Sequence, residues 1–126
     1  MKKKRINRDQ NQLEEEISKI EKQIAAAVWL QAIGQTVEAI LLLKLLMLKE
    51  ESEGEIKVAT GVWIQTIGQI LEALGVTKEI TALDKNVLTE AQKIVITGDL
   101  LQSVGAAVET IGGKEILVEN TDGFIP

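Results

Sequence analysis

The stretch Ala27-Val-Trp-Leu-Gln-Ala-Ile-Gly-Gln-Thr-Val-Glu-Ala-Ile40 recurs 34 residues on as Gly61-Val-Trp-Ile-Gln-Thr-Ile-Gly-Gln-Ile-Leu-Glu-Ala-Leu74, with 8 of 14 positions identical. A third copy, Gly98-Asp-Leu-Leu-Gln-Ser-Val-Gly-Ala-Ala-Val-Glu-Thr-Ile111, follows at an offset of 37 and keeps the Gln, the first Gly and the Glu in register. Self-similarity at such a period means one supersecondary unit used three times, each able to bury its apolar face only against its neighbours. The chain therefore reads as all-α, a helical bundle of three repeat-related helices with an N-terminal helical extension.

Within the first copy Gln31, Gln35 and Glu38 stand at i, i+4 and i+7, one narrow stripe on a 3.6-residue helix. Gln65, Gln69 and Glu72 repeat it in the second copy, and Gln102, Ala106 and Glu109 in the third. The positions around the stripe are apolar or small, so each helix is hydrophobic over more than the usual core-facing third. Three roles are open to the stripe: a solvent edge, side-chain hydrogen bonds between helices or subunits, or the inward face of a lipid-embedded bundle. Gly34, Gly68 and Gly105 recur in register. A mid-helix glycine costs about 1 kcal/mol against alanine, so three of them point to close helix approach. Trp29 and Trp63 occupy equivalent places, as core residues whose indole N–H reaches a partner or as interface anchors. The candidate interface residues are thus Trp29, Gln31, Gly34, Gln35, Trp63, Gln65, Gly68, Gln69, Gln102 and Gly105.

Residues 1–8 read as a basic flexible terminus, 9–113 as a single helical-repeat domain and 114–126 as an extended C-terminal tail. Leu13, Ile17, Ile20, Ile24 and Ala27 are spaced 4, 3, 4, 3, which is a heptad seam. No breaker separates it from the first copy, so Asp9 to about Glu50 forms one helix or two nearly collinear ones, about 60 Å long. Ser52-x-x-Glu55 is a capping box opening the second helix, and Gly75 is placed to end it. Thr77 could cap a single turn, Asp84 to Asn86 reads as a loop, and Asn86 or Thr89 starts a last helix that stops at Gly112-Gly113. Beyond it, Ile116 to Val118 is β-prone and Thr121-Asp-Gly123 reads as a turn.

The net charge of -5 divides into +5 from Lys2, Lys3, Lys4, Arg5 and Arg8 and -10 on the remainder. An acidic body without a basic, aromatic-lined face argues against nucleic acid. The basic start is not followed by a short apolar run, so no cleaved signal is expected. Ile24 to Leu43 carries Glu38 as its one formal charge, long enough to span a bilayer but with Gln31, Gln35 and Thr36 opposing insertion. The location expected is cytoplasmic, with membrane association as the alternative.

There is no Cys, His or Tyr. Disulfides, thiolate metal sites and the usual neutral-pH acid–base residue are therefore ruled out. No phosphate-cradling glycine run is present, Ser18, Ser52 and Ser103 have no histidine to activate them, and consecutive acids such as Glu14-Glu15-Glu16 point in different directions on a helix. Asn120 to Gly123 lacks the rest of a calcium loop. The reading is of no enzyme, no cofactor and no metal.

The repeated Val-Trp-[Leu/Ile]-Gln-[Ala/Thr]-Ile-Gly-Gln unit resembles a family of small repetitive proteins of bacilli with no known activity. The resemblance covers Ala27 to Ile40 and Gly61 to Gly75 well and the third copy poorly, where Asp99-Leu100 replaces Val-Trp. It implies a bacterial, non-enzymatic protein and transfers no site. The function expected is that of a self-associating structural or interaction module forming a homo-oligomer. The alternative is a membrane-active or lipid-binding helical protein of the toxin or immunity type, and a weaker one is a carrier holding an apolar ligand between its helices.

Overall fold

The computed structural model describes residues 2–50 and 52–122. They form three helices, α1 (Lys2–Leu48), α2 (Glu53–Thr81) and α3 (Lys85–Asp122). The chain is all-α, as the repeat implied, and each helix contains one copy of it.

Local chemistry accounts for most of the boundaries. Ser52, in extended conformation, accepts a hydrogen bond from the Glu55 N–H and so opens α2. The reciprocal arm of the expected capping box is not made, since Glu55 Oε2 is buried without a hydrogen-bond partner among the described residues. Asp84 accepts from the Val87 N–H at 2.9 Å and opens α3 at Lys85, ahead of the expected Asn86 or Thr89. Thr77 is not a cap but a mid-helix residue whose hydroxyl donates to the Ala73 carbonyl at 2.8 Å.

Two expected helix ends are corrected. Gly75 does not close α2, which continues to Thr81, and Gly112-Gly113 do not close α3, which continues to Asp122. A glycine ends a helix by turning left-handed. None of the described glycines has a positive φ; Gly75 and Gly112 are held helical by packing against the neighbouring helix, and Gly113, with nothing within 4 Å, continues the helix between Gly112 and Ile116. The tail expected to be extended from Lys114 is accordingly helical through Asp122, and Gly123 to Pro126 lie outside the described residues. At the other end the helix begins at Lys2, so the segment expected to be a flexible basic terminus is the start of α1.

The three helices form a layer with α2 in the middle. α2 packs on both α1 and α3, and among the described residues α1 and α3 are not packed on one another. The α2–α3 contact is an antiparallel seam of small residues spaced by seven: Gly54, Gly61, Gly68 and Gly75 descend α2 while Gly112, Gly105, Gly98 and Ala91 ascend α3. A Cβ on Gly61 would lie 2.5 Å from the Gly105 carbonyl oxygen, and one on Gly68 2.5 Å from that of Gly98. The same holds from the other side, where a Cβ on Gly105 would lie 2.6 Å from the Gly61 oxygen. The backbones are in direct contact, which only glycine permits.

The α1–α2 contact uses different residues of the same repeat. Ala25, Val28, Ala32 and Ala39 are buried on α1, and their equivalents Ala59, Val62, Thr66 and Ala73 are buried on α2. Thr66 donates to the Val62 carbonyl at 2.7 Å, which removes the cost of its buried hydroxyl.

The glycine seam makes a sharp contrast testable. Gly61→Ala must force α2 from α3 and should lower the unfolding free energy by about 1–3 kcal/mol. Gly113→Ala, with nothing within 4 Å of the added Cβ, should raise it by about 0.5–1 kcal/mol through helix propensity. Urea unfolding followed by circular dichroism reads both, and equal effects would contradict the packing.

Candidate functional site

Each repeat presents two helix-pairing faces. One is the alanine-rich face joining α1 to α2. The other carries the seven-residue glycines together with the Gln and Glu of the stripe, and joins α2 to α3.

On this second face the closeness of the backbones brings polar side chains of the two helices within reach. The Gln65 amide donates to Glu109 Oε2, and the Gln102 amide donates to Glu72 Oε2 at 2.7 Å. The pairing is reciprocal, since the Gln of each copy finds the Glu of the other. The Lys57 ammonium pairs with Glu115 about two turns further toward the α2 start. Its hydrogen bond to Glu115 holds the Lys57 ammonium above its ordinary range. A raised lysine pKa favours the folded state below about 10.5 and loses that contribution as pH rises through the folded value, so the contribution is fully present at neutral pH and does not vary with pH there.

The stripe is therefore not a single surface. Gln65 and Glu72 turn to α3, whereas Gln69 is buried against α1 and donates to Gln31 Oε1 at 3.2 Å. Of the three roles open to it, hydrogen bonding between helices describes the second and third copies and Gln31 of the first. An unpaired buried amide is costly, so these bonds also set register.

The remaining candidates distribute between the seams. Gly68 and Gly105 lie in the α2–α3 seam. Gln35 is half-buried on the α1–α2 side, where its carbonyl accepts from the Thr66 hydroxyl at 3.4 Å. Trp29 packs on Val28, Ala32 and Ala73 and donates from its indole N–H to the Thr77 hydroxyl at 2.8 Å. Trp63 is half-buried, with no hydrogen bond from its indole N–H found among the described residues. The symmetry of the antiparallel α1–α2 pair explains the difference, because the residue of α1 equivalent to Thr77 is Leu43, which has no hydroxyl. Gly34 stands apart from all of these, with nothing within 4 Å of an added Cβ.

Gly54, Gly61, Gly75, Gly98 and Gly112 complete the seam and were not among the sequence candidates. Their signal was a seven-residue spacing running across the repeat boundaries, which is visible once copies are aligned by glycine. Glu115 was missed because its segment was expected to be extended.

The two outer helices end the layer differently. On α3 the alanine-rich face is replaced by Ile96, Asp99, Ser103 and Thr110 in the places of Ala59, Val62, Thr66 and Ala73, all exposed and three of them polar. A polar outer face is how a repeat array is closed. On α1 the glycine-type face, with Gln31, Gly34 and Glu38, is also exposed, yet its residues are those that pair α2 with α3. Among the described residues no three His, Cys, Asp or Glu side chains gather as metal ligands. Apolar depressions between helices, such as that of about 300 Å³ lined by Trp29, Ile33, Val37 and Ile70, are open grooves on the surface.

The reciprocal pairs predict a coupling. In a double-mutant cycle of Gln65→Ala with Glu109→Ala, unfolding free energies should be non-additive by about 1 kcal/mol. The pair Gln65→Ala with Glu38→Ala should be additive within about 0.5 kcal/mol, and the reverse ranking would show the interhelical bonds to be absent.

No family model matches this chain, and neither a curated protein nor a solved structure is similar to it. The resemblance to the repetitive proteins of bacilli rests on the repeated unit alone.

Proposed function

We propose that this chain is a non-enzymatic, self-associating structural or interaction protein of the cytoplasm. The observation that carries the reading is the distribution of side-chain size. Gly, Ala and Thr line the seams between the helices, while large aliphatic residues point outward. Leu30, Ile33, Ile67, Ile96 and Leu117 are each more than half exposed, and they are part of a far larger set. Single exposed apolar residues are ordinary, but continuous apolar faces on every helix mark a surface that something covers. Association in water removes such area at roughly 25 cal/mol per Å², which favours assembly of copies.

One observation favours a second reading, that of a membrane-active or lipid-binding helical protein. Asn7–Leu48 and Lys85–Thr121 are long and apolar enough to cross a membrane by length and composition, and their most apolar windows are only 17% and 11% buried. Small residues in the seams and polar pairs turned inward are what helices packed in lipid use. Exposed Glu38 and Asp99 stand against it.

Two measurements separate these readings. Sedimentation velocity of the full chain without detergent should give a defined oligomer or a mass that grows with concentration, and a monomer at every concentration would overturn self-association. Neutral or anionic liposomes should leave the fluorescence of Trp29 and Trp63 unshifted if copies of the chain cover the apolar faces. A blue shift with partition into the vesicles would establish the second reading instead.

A further inference from the structure

The exposed face of α1 is longer and more regular than the repeat that it contains. From Leu13 to Leu48 the positions alternate 4 and 3 residues apart without a break, a heptad seam about 50 Å long. Every one of these positions is exposed, and at about 100° per residue the seam lies roughly a quarter to a third of a turn round α1 from the alanines that meet α2, close enough for Gln31 to reach Gln69. Its two ends are aliphatic, with Ile20 and Ile24 on one side and Leu41 and Leu45 on the other. Its centre is Ala27, Gln31, Gly34 and Glu38.

That centre is the first-copy version of the face which joins α2 to α3. Ala27 and Gly34 occupy the places of Gly61 and Gly68, and Gln31 and Glu38 those of Gln65 and Glu72. In the α2–α3 pair these residues meet an antiparallel copy of themselves, glycine against backbone and Gln against Glu. Among the described residues, α1 has no such partner. Gly34 has nothing within 4 Å. Gln31 already accepts from Gln69 through its carbonyl oxygen, so its amide N–H groups are left as donors, the role that Gln65 and Gln102 fill. The corresponding face of α3, the other unpaired one, carries Asp99, Ser103 and Thr110 beside Ile96 and lacks this complementarity.

We propose that the Leu13–Leu48 face of α1 pairs with the same face of a second copy in an antiparallel, two-fold helix pair. The proposal rests on the self-association reading above and assigns its surface. Carrying the α2–α3 register over through the repeat offsets sets Ala27 against Gly34 of the second copy and Gln31 against Glu38. The same register sets Ile20 against Leu41, Ile24 against Leu45 and Leu13 against Leu48. Except for Ile17, whose counterpart would fall beyond the end of α1, every aliphatic position thus meets an aliphatic one, each small residue a small one and each donor an acceptor. A two-fold axis duplicates each contact, as an isologous interface requires. A parallel pair would set Glu38 against Glu38 at the centre, where like charges repel.

Single cysteines test the register, because the chain has none of its own. Full-length Leu13→Cys and Leu48→Cys proteins, each folded by circular dichroism, are oxidised alone and mixed. The mixture should give a Leu13→Cys to Leu48→Cys disulfide in at least several-fold excess over either self-disulfide. Glu38→Arg removes both central hydrogen bonds, and by sedimentation should weaken the pair about tenfold or more. Self-disulfides in place of the mixed one, or a Glu38→Arg protein that associates as tightly as the parent, would overturn the pairing while leaving self-association intact. A parent chain that stays monomeric would overturn both.

Discussion

The contact of glycine with opposing backbone between α2 and α3 is what the rest of the molecule depends on. Four glycines in 22 residues of α2 would by themselves disfavour that helix by about 4 kcal/mol relative to alanine. The cost is offset because the missing side chains let two helices touch along their backbones, where dispersion contacts are densest. Helix formation and helix pairing are therefore one event for these two segments. Closeness also decides the polar chemistry. Gln65, Glu72, Gln102 and Glu109 reach one another because no bulky residue stands between their helices.

Filling the seams with small residues has a second consequence. The side chains that would ordinarily form a core have no interior to enter, and the aliphatic residues of α1, α2 and α3 are turned outward. The chain then resembles a section cut from a larger packed assembly rather than a closed globule. Its two ends differ: α3 is finished with Asp99, Ser103 and Thr110, whereas α1 continues with a face of pairing type. Such a layer can close by meeting its own copy at the unfinished side.

Much of this was legible in the residues. The repeat announced three related helices, Ser52 announced the start of α2, and the glycines at Gly68 and Gly105 announced close approach. Gly75 and Gly112 misled, since a glycine after an apolar run signals a helix end only when no neighbouring backbone occupies the space beside it. The extension of α3 past Gly113 followed the same logic, with Gly112 and Ile116 held against Gly54. The stripe of Gln and Glu looked like one surface because spacing alone puts its members within one turn of each other. A helix packed on two sides divides such a stripe, and Gln69 went to α1 while Gln65 and Glu72 went to α3.

By itself the sequence determined that the chain is helical, that one unit is used three times, and that its polar residues fall at fixed places within each unit. These follow from periodicity and propensity, which are properties of short segments. Only the tertiary structure decided which of the two faces of a unit meets which neighbour. Both faces are small and weakly polar, so composition does not rank them. Short connections made successive helices antiparallel, and α2, with a neighbour on each side, had to use both its faces. That left α1 with one pairing face turned outward.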